Sequence, residues 1–288
     1  MTTQSIVVGY DASGAADAAL DWALDHSARA ETQVKLVHVF EWRSVAGTIG
    51  LAPAVWQEDT TREAAQGVLT ETLARAQESH PNVPISGTVV GGEPAAVLVD
   101  ESRDAHLVVL GDRGHSRFAN LLLGSTSMSV STHAHCPVVV VRGTERRDDG
   151  PVIAGFDGSQ GSRLATEFAF GEADRRGAEL RVLHAWQPPT ARWRPPGFNV
   201  EEQVKVEQEG LKGEVTGWRD RYPDVAAGAH VVAGAPAETL IKASQGAQMI
   251  VVGSRGRGGF SGLLLGSVSQ QLLHHAQCPV VVVRELHP

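Results

Sequence analysis

The feature that most constrains this chain is that it is written twice. Val109–Arg142 reads VLGDRGHSRFANLLLGSTSMSVSTHAHCPVVVVR, and Val251–Arg284 reads VVGSRGRGGFSGLLLGSVSQQLLHHAQCPVVVVR. In each copy an apolar run breaks into a glycine loop, a Gly-Ser pair opens a helical pattern, and a Cys-Pro precedes four valines. Upstream, IVVGYDAS at Ile6–Ser13 pairs with VIAGFDGS at Val152–Ser159, an offset of 146 residues, whereas the glycine loops are offset by 142. A duplicated unit that alternates strand and helix must bury strands on both faces, so each half predicts a parallel sheet with helices on both sides.

The remaining elements follow from local signals. Ser5–Tyr10, Val34–Phe40, Ile85–Val90, Leu107–Leu110 and Pro137–Val141 read as the five strands of the first half. Ser13 is placed to cap a helix whose Ala16, Ala19, Leu20, Ala23 and Leu24 share one face. Gln57–Ser79 reads as a polar helix, and Pro94 suits a first helical position. The domains expected are residues 1–143 and 152–288, joined by a charged linker at 144–151. The four-residue change of offset falls between the second and third strands.

A length of 288 residues is enough for about two domains. The net charge of −8 and the presence of only four lysines, none in a glycine loop, argue against a nucleic-acid backbone as partner. Cys136 and Cys278 occupy equivalent places, which favours two free thiols and a reducing, cytoplasmic setting. The opening MTTQSIVVGYD shows no basic segment followed by a long apolar one, so no signal peptide is expected. Phe118–Val141 and Gly258–Val283 lack charge, but each is studded with polar residues and carries a proline, so neither is expected to span a membrane.

The chemistry resides in the loops. Gly111-Asp112-Arg113-Gly114 and Gly253-Ser254-Arg255-Gly256 follow strands directly, where small residues let backbone N–H groups approach an anion. Gly124-Ser125 and Gly266-Ser267 then open helices whose first N–H groups and dipole favour negative charge. Asp11 and Asp157 end the first strands at the same sheet edge. Arg113, Arg117, Arg255 and Arg257 are candidate phosphate contacts, with plain solubilising arginine as the alternative. His133, His135, His274 and His275 suit helix C-termini better than a metal site, and His38 and His184 suit core or site-wall positions.

The G-x2-G-x9-G-(S/T) pattern occurs at Gly111, Gly114, Gly124 and Ser125 and again at Gly253, Gly256, Gly266 and Ser267. On these residues the chain resembles a tandem universal stress protein of the ATP-binding subgroup. The resemblance implies two five-stranded doubly wound domains of strand order 3-2-1-4-5, each binding ATP, with or without Mg2+. It places Asp11 and Asp157 on the nucleoside side, together with the backbone at Val39 and Ala185. It places Arg113, Arg255 and the glycine loops at ribose and phosphates, with Ser125, Thr126, Ser127, Ser267, Val268 and Ser269 closing the cradle. It also implies that the halves pair through their fifth strands as an internal pseudo-dimer, and it leaves a homodimer open.

Asp112 stands where the second copy has Ser254. Two unit charges about 6 Å apart repel by roughly 3 kcal/mol at an effective dielectric near 20, so weaker or more metal-dependent ATP binding is expected in the first half. No catalytic residue and no protein metal ligand is assigned. The expected function is a nucleotide-binding stress regulator acting through conformation or partner binding. The alternatives are a slow metal-dependent ATPase and a scaffold with structural nucleotide.

Overall fold

The computed structural model describes residues 5–40, 54–114, 123–142, 149–189, 195–258 and 264–285. The chain divides into two compact units, Met1–Val141 and Arg142–Pro288. In the first unit the elements run β1 (Ser5–Tyr10), α1 (Gly14–Ala30), β2 (Gln33–Phe40), α2 (Ala54–Ser79) and β3 (Ile85–Gly91). They continue with α3 (Pro94–Glu101), β4 (Ala105–Gly111), α4 (Ser125–His133) and β5 (Val138–Val141). The strands lie in the order β3-β2-β1-β4-β5, all parallel. Central register sets Val8 beside Leu36 on one side and Val109 on the other. These residues are fully buried, as expected for strands covered on both faces.

The second unit repeats the plan with β6 (Val152–Gly155), α5 (Gln160–Arg176), β7 (Leu180–Trp186), α6 (Val200–Arg219) and β8 (Ala227–Ala233). It closes with α7 (Pro236–Ser244), β9 (Met249–Gly253), α8 (Ser267–His275) and β10 (Val280–Val283). Its order is β8-β7-β6-β9-β10, again parallel throughout. The doubly wound fold expected from the sequence is therefore present in each unit. Helix α2 begins at Ala54, three residues earlier than the polar pattern alone suggests. Residues 144–148 of the expected linker lie outside the described residues. Cys136 and Cys278 are buried free thiols whose pKa burial raises to about 12.

In both units the strand order reverses around the first strand, so the connections leaving β1 and β4, or β6 and β9, diverge to opposite faces. A crevice opens between them at the carboxyl edge. The helix after the first strand starts in the same way twice: Ser13 accepts a hydrogen bond from the Ala16 N–H and Ser159 from the Ser162 N–H, each at 3.2 Å.

The first and second helices of each unit are tied by a charged pair whose sign is inverted between copies. In the first unit Asp17 on α1 lies 3.6 Å from Arg75 on α2 and accepts a hydrogen bond from the Tyr10 hydroxyl at 2.7 Å. In the second unit Arg163 on α5, at the place of Asp17, donates to Glu214 on α6 at 2.5 and 3.3 Å. Phe156 replaces Tyr10 there, so the aromatic side chain at the strand end has no hydroxyl to contribute.

The turn before each first helix requires a left-handed residue. Gly158 fills it with φ 77°, but Ala12 fills it with φ 61°. A non-glycine residue there is strained by about 1 kcal/mol. Ala12→Gly is expected to raise stability by up to about 1 kcal/mol, less the extra unfolded-chain entropy of glycine. Gly158→Ala is expected to lower it, since a methyl there would also sit 2.5 Å from the Arg257 guanidinium. Urea denaturation of both variants checks the pair.

Candidate functional site

At the carboxyl edge of each sheet lies a cavity, about 390 Å³ in the first unit and about 470 Å³ in the second. The two linings correspond position by position. In the first unit Asp11, Val39, Gly111, Arg113, Gly114, Gly124, Ser125, Thr126 and Ser127 all line it. In the second, Asp157, Ala185, Gly253, Arg255, Gly256, Gly266, Ser267, Val268 and Ser269 do the same. The residues that the resemblance places at a nucleotide therefore all line one of the two cavities. Arg257 lines the second cavity, and Arg117 lies outside the described residues.

The walls come from residues the sequence reading passed over. Tyr10, Val37, Pro94, Leu98 and Leu110 line the first cavity; Phe156, Leu183, Pro236, Leu240 and Val252 line the second. The repeated Pro-x3-Leu of VVGGEPAAVL and VVAGAPAETL, with proline at the helix start and leucine one turn on, was the available signal. Trp186, at the end of β7, contacts Phe198 at 6.1 Å between ring centroids.

The loop glycines fall into two kinds. A methyl on Gly111 would lie 2.6 Å from the Ala15 carbonyl oxygen, and one on Gly253 would lie 2.7 Å from the Gly161 carbonyl carbon. These two let the strand end pass against the start of α1 or α5. A methyl on Gly114 would overlap Asp11 Oδ2, and one on Gly256 would overlap Asp157 Oδ2. These two let the glycine loop fold onto the first-strand carboxylate. The fold itself therefore requires all four.

Gly124 and Gly266 are different. They are the N-caps of α4 and α8, with φ −70° and −77°, a backbone any residue adopts. The nearest atoms to an added methyl are the Asp112 and Ser254 carbonyl oxygens at 3.5 and 3.4 Å, ordinary contacts. Neither helix start carries a side-chain cap. The N–H groups of the first turn therefore have no intrahelical acceptor and face the cavity past a residue without a side chain. The loop is held in place beneath them: the Gly124 N–H donates to Asp112 O at 2.8 Å, and the Gly266 N–H to Ser254 O at 2.7 Å.

Ser127 and Ser269 hold the same structure from inside. Each is buried and donates its hydroxyl hydrogen to a strand-end carbonyl, Ser127 to Gly111 at 2.7 Å and Ser269 to Gly253 at 2.8 Å. In this arrangement each hydroxyl ties helix to strand rather than donating into the cavity. Ser125 and Ser267, at the first helical positions, also line the cavities, as do Thr126 in the first and Ser162 in the second.

The electrostatics centre on the aspartates. Asp157 Oδ1 accepts the Ser159 N–H at 3.0 Å and Oδ2 accepts the Arg257 N–H at 2.8 Å. Burial alone would push this carboxyl up, but the hydroxyl and N–H of Ser159, with further bonds from Arg257 and Ser162, outweigh it and hold the pKa below its usual value. Asp11 accepts the Ser13 N–H at 3.0 Å in the same turn. Burial lowers the pKa of His38, against an upward pull from Asp11, and its Nδ1 is buried without a hydrogen-bond partner. His184 is settled differently, with Nδ1–H donating to Phe156 O at 2.7 Å.

Asp112 does not line the first cavity; its carboxylate lies 3.5 Å from Arg113 Nε. Its effect on a bound anion would come from cancelling Arg113, not from meeting the anion directly. Among the described residues no group of three or more His, Cys, Asp and Glu is placed to hold a metal ion. No described helix is long and apolar enough to cross a membrane.

Two doubly wound α/β units, each with a glycine-lined helix N-terminus opening on its switch-point cavity, define a duplicated α/β fold. The chain belongs to the universal stress protein family, whose model, described as the Universal stress protein family, matches residues 2–142 and 150–284. Universal stress protein Rv2623 of Mycobacterium tuberculosis is 37% identical over 292 residues, covering 97% of this chain and 96% of the relative. A universal stress protein of Mycolicibacterium smegmatis is 38% identical over 292 residues and covers 98% of each. Among solved structures, a universal stress protein from Archaeoglobus fulgidus matches the fold with a TM-score of 0.72 at 20% identity, over 99% of both chains.

Two outcomes follow for the site. Gly111→Ala and Gly253→Ala are expected to destabilise by about 2 kcal/mol, the usual cost of overpacking, while Gly124→Ala and Gly266→Ala stay within about 0.5 kcal/mol of the parent in chemical denaturation. The Asp157 carboxyl has a folded-state pKa below its ordinary 3.8, so its contribution to stability is present above that pH. It is lost as pH falls through the lower folded value. Acid titration of Asp157→Asn against the parent should show the stability difference narrowing below about pH 4.

Proposed function

We propose that each half is an adenine-nucleotide site of the ATP type and that occupancy of the two sites regulates a stress response through conformation or partner binding. The observation that carries this reading is Gly124 with Gly266. At both places the fold would accept a side chain, yet both copies have none where the helix N–H groups meet the cavity. An anion close to the backbone accounts for that, as at other phosphate-binding helix starts. The cavities also have apolar walls on the β2 and β7 side, suited to a base, and the carboxyl of Asp11 or Asp157 near them as a hydrogen-bond acceptor. The ATP with or without Mg2+ that the family resemblance implies fits these features. Its phosphates would lie over the first turn of α4 or α8 and beside Arg113 or Arg255.

A regulatory role is favoured over hydrolysis by the state of Asp157. Both of its oxygens already accept backbone N–H groups and its pKa is held low, which suits an anchor and makes a poor general base.

The test is small-molecule mass spectrometry on ligand released from the purified native chain, followed by titration of the stripped protein. Two adenine nucleotides per chain are expected. Gly124→Val and Gly266→Val should each remove one without changing the circular dichroism spectrum. Absence of any released nucleotide, together with no binding on titration, would overturn the reading.

A further inference from the structure

The two units differ at their outer edge strands. β3 and β8 each end their sheet, so every second residue turns its N–H and C=O away from the neighbouring strand. The ladder bonds fix which residues these are. Pro84 O accepts the Val34 N–H and Phe40 O accepts the Gly92 N–H, so even-numbered residues pair with β2, and Ile85, Gly87, Val89 and Gly91 point outward. In β8 the Leu180 N–H donates to Ala226 O and the Gly234 N–H to Trp186 O, which leaves Ala227, Ala229, Val231 and Ala233 outward.

Side chains of α6 seal the outward groups of β8. Gln208 donates its amide N–H to Ala229 O at 2.7 Å and accepts the Val231 N–H at 2.9 Å, the exchange a further strand would make. Arg219 donates to Ala227 O at 3.2 Å. In the first unit Gln66 and Gln77 stand at the places of Gln208 and Arg219, but Gln66 is exposed and Gln77 donates to Pro81 O at 3.0 Å. Among the described residues no hydrogen bond reaches the outward groups of β3. Nor does β3 carry another usual guard of an edge: Ile85–Gly91 reads ISGTVVG, without charge or proline, and pairs with β2 in unbroken register.

We infer that β3 is the docking edge for β3 of a second copy of this chain, antiparallel and centred on Thr88, which closes a two-fold dimer. That centre sets Gly87 opposite Val89 and Ile85 opposite Gly91, so every outward residue meets an outward residue and about eight main-chain hydrogen bonds form. Thr88 then faces its own copy and Ser86 faces Val90, at the positions where cross-strand side chains lie closest. A two-fold contact sets whatever lies on its axis against itself, so a charge there would repel its own image. None of the seven strand residues is charged. Gln66, Thr70 and Gln77, on the stripe of α2 that corresponds to the edge-facing stripe of α6, are uncharged too, whereas α6 carries Lys212 and Arg219 there. Docking at β8 would also cost Gln208 both of its bonds. One open edge and one sealed edge stop assembly at two copies, where two open edges would let sheets add without limit.

The experiment is sedimentation equilibrium of the full chain at concentrations up to about 100 μM. The parent is expected to dimerise. Thr88→Lys and Thr88→Glu each set like charges opposite one another and should weaken the dimer at least about tenfold. Mixed in equal amounts, the two variants should associate again, because opposite charges then meet. Val89→Pro removes an outward N–H that no ladder bond uses and should also leave monomers; it decides the matter if a Thr88 variant fails to give the parent circular dichroism spectrum. A parent that stays monomeric throughout overturns the inference, even if β3 takes up some other extended peptide. So does a parent dimer that persists in Val89→Pro and in folded Thr88→Lys, since the two copies then meet elsewhere.

Discussion

The contact on which each half depends is that between a carboxylate and a glycine Cα. The first strand ends in an aspartate whose side chain turns back over its own loop and accepts an N–H two residues on. The loop leaving the fourth strand must then lie against the other oxygen, and only Gly114 or Gly256 leaves room for it. In the second half this becomes a hydrogen bond from the Arg257 N–H. The first-strand turn and the glycine loop hold each other in place, and the crevice between them becomes a defined cavity instead of a gap between two mobile connections.

The helix that follows inherits its position from this contact. The N–H groups of Gly124 and Gly266 reach back to the second loop residue, and Ser127 and Ser269 pin the first turn to the strand end. Two bonds of different origin therefore fix each helix terminus with its free N–H groups pointing inward. Pre-arranged donors of this kind need little reorganisation when an anion arrives. A helix can serve as a binding element this way without contributing a charged side chain.

Much of this was legible in the sequence, because the duplication supplied an internal comparison. Elements that occur twice at a fixed offset, the Asp-x-Ser turn and the two-glycine loop among them, could be read with their positions. Less legible were the roles of residues whose type fits two accounts. Ser127 and Ser269 read as anion donors, but a buried hydroxyl one turn from a strand carbonyl finds that carbonyl first. Asp112 reads as a charge aimed at the ligand, but the arginine next to it offers a nearer partner. The apolar walls at Leu98 and Leu240 were marked only by the repeated Pro-x3-Leu, because helical periodicity marks a residue as buried without saying whether it faces core or cavity. The strain at Ala12 was hidden as well, since alanine gives no sign of a left-handed backbone.

The inverted ion pairs have a consequence for how a duplicated chain folds at all. Two copies of one fold on one polypeptide offer each sheet two candidate helices of nearly the same shape, and misassembly between repeats is a known hazard of such chains. Were α1 to take the place of α5, Asp17 would face Glu214; the reverse exchange would set Arg163 against Arg75. Correct assembly brings opposite charges together, and either exchange brings like charges together. The two copies thus carry a matched set of four side chains in which each first helix is complementary in sign to the second helix of its own unit and not to that of the other.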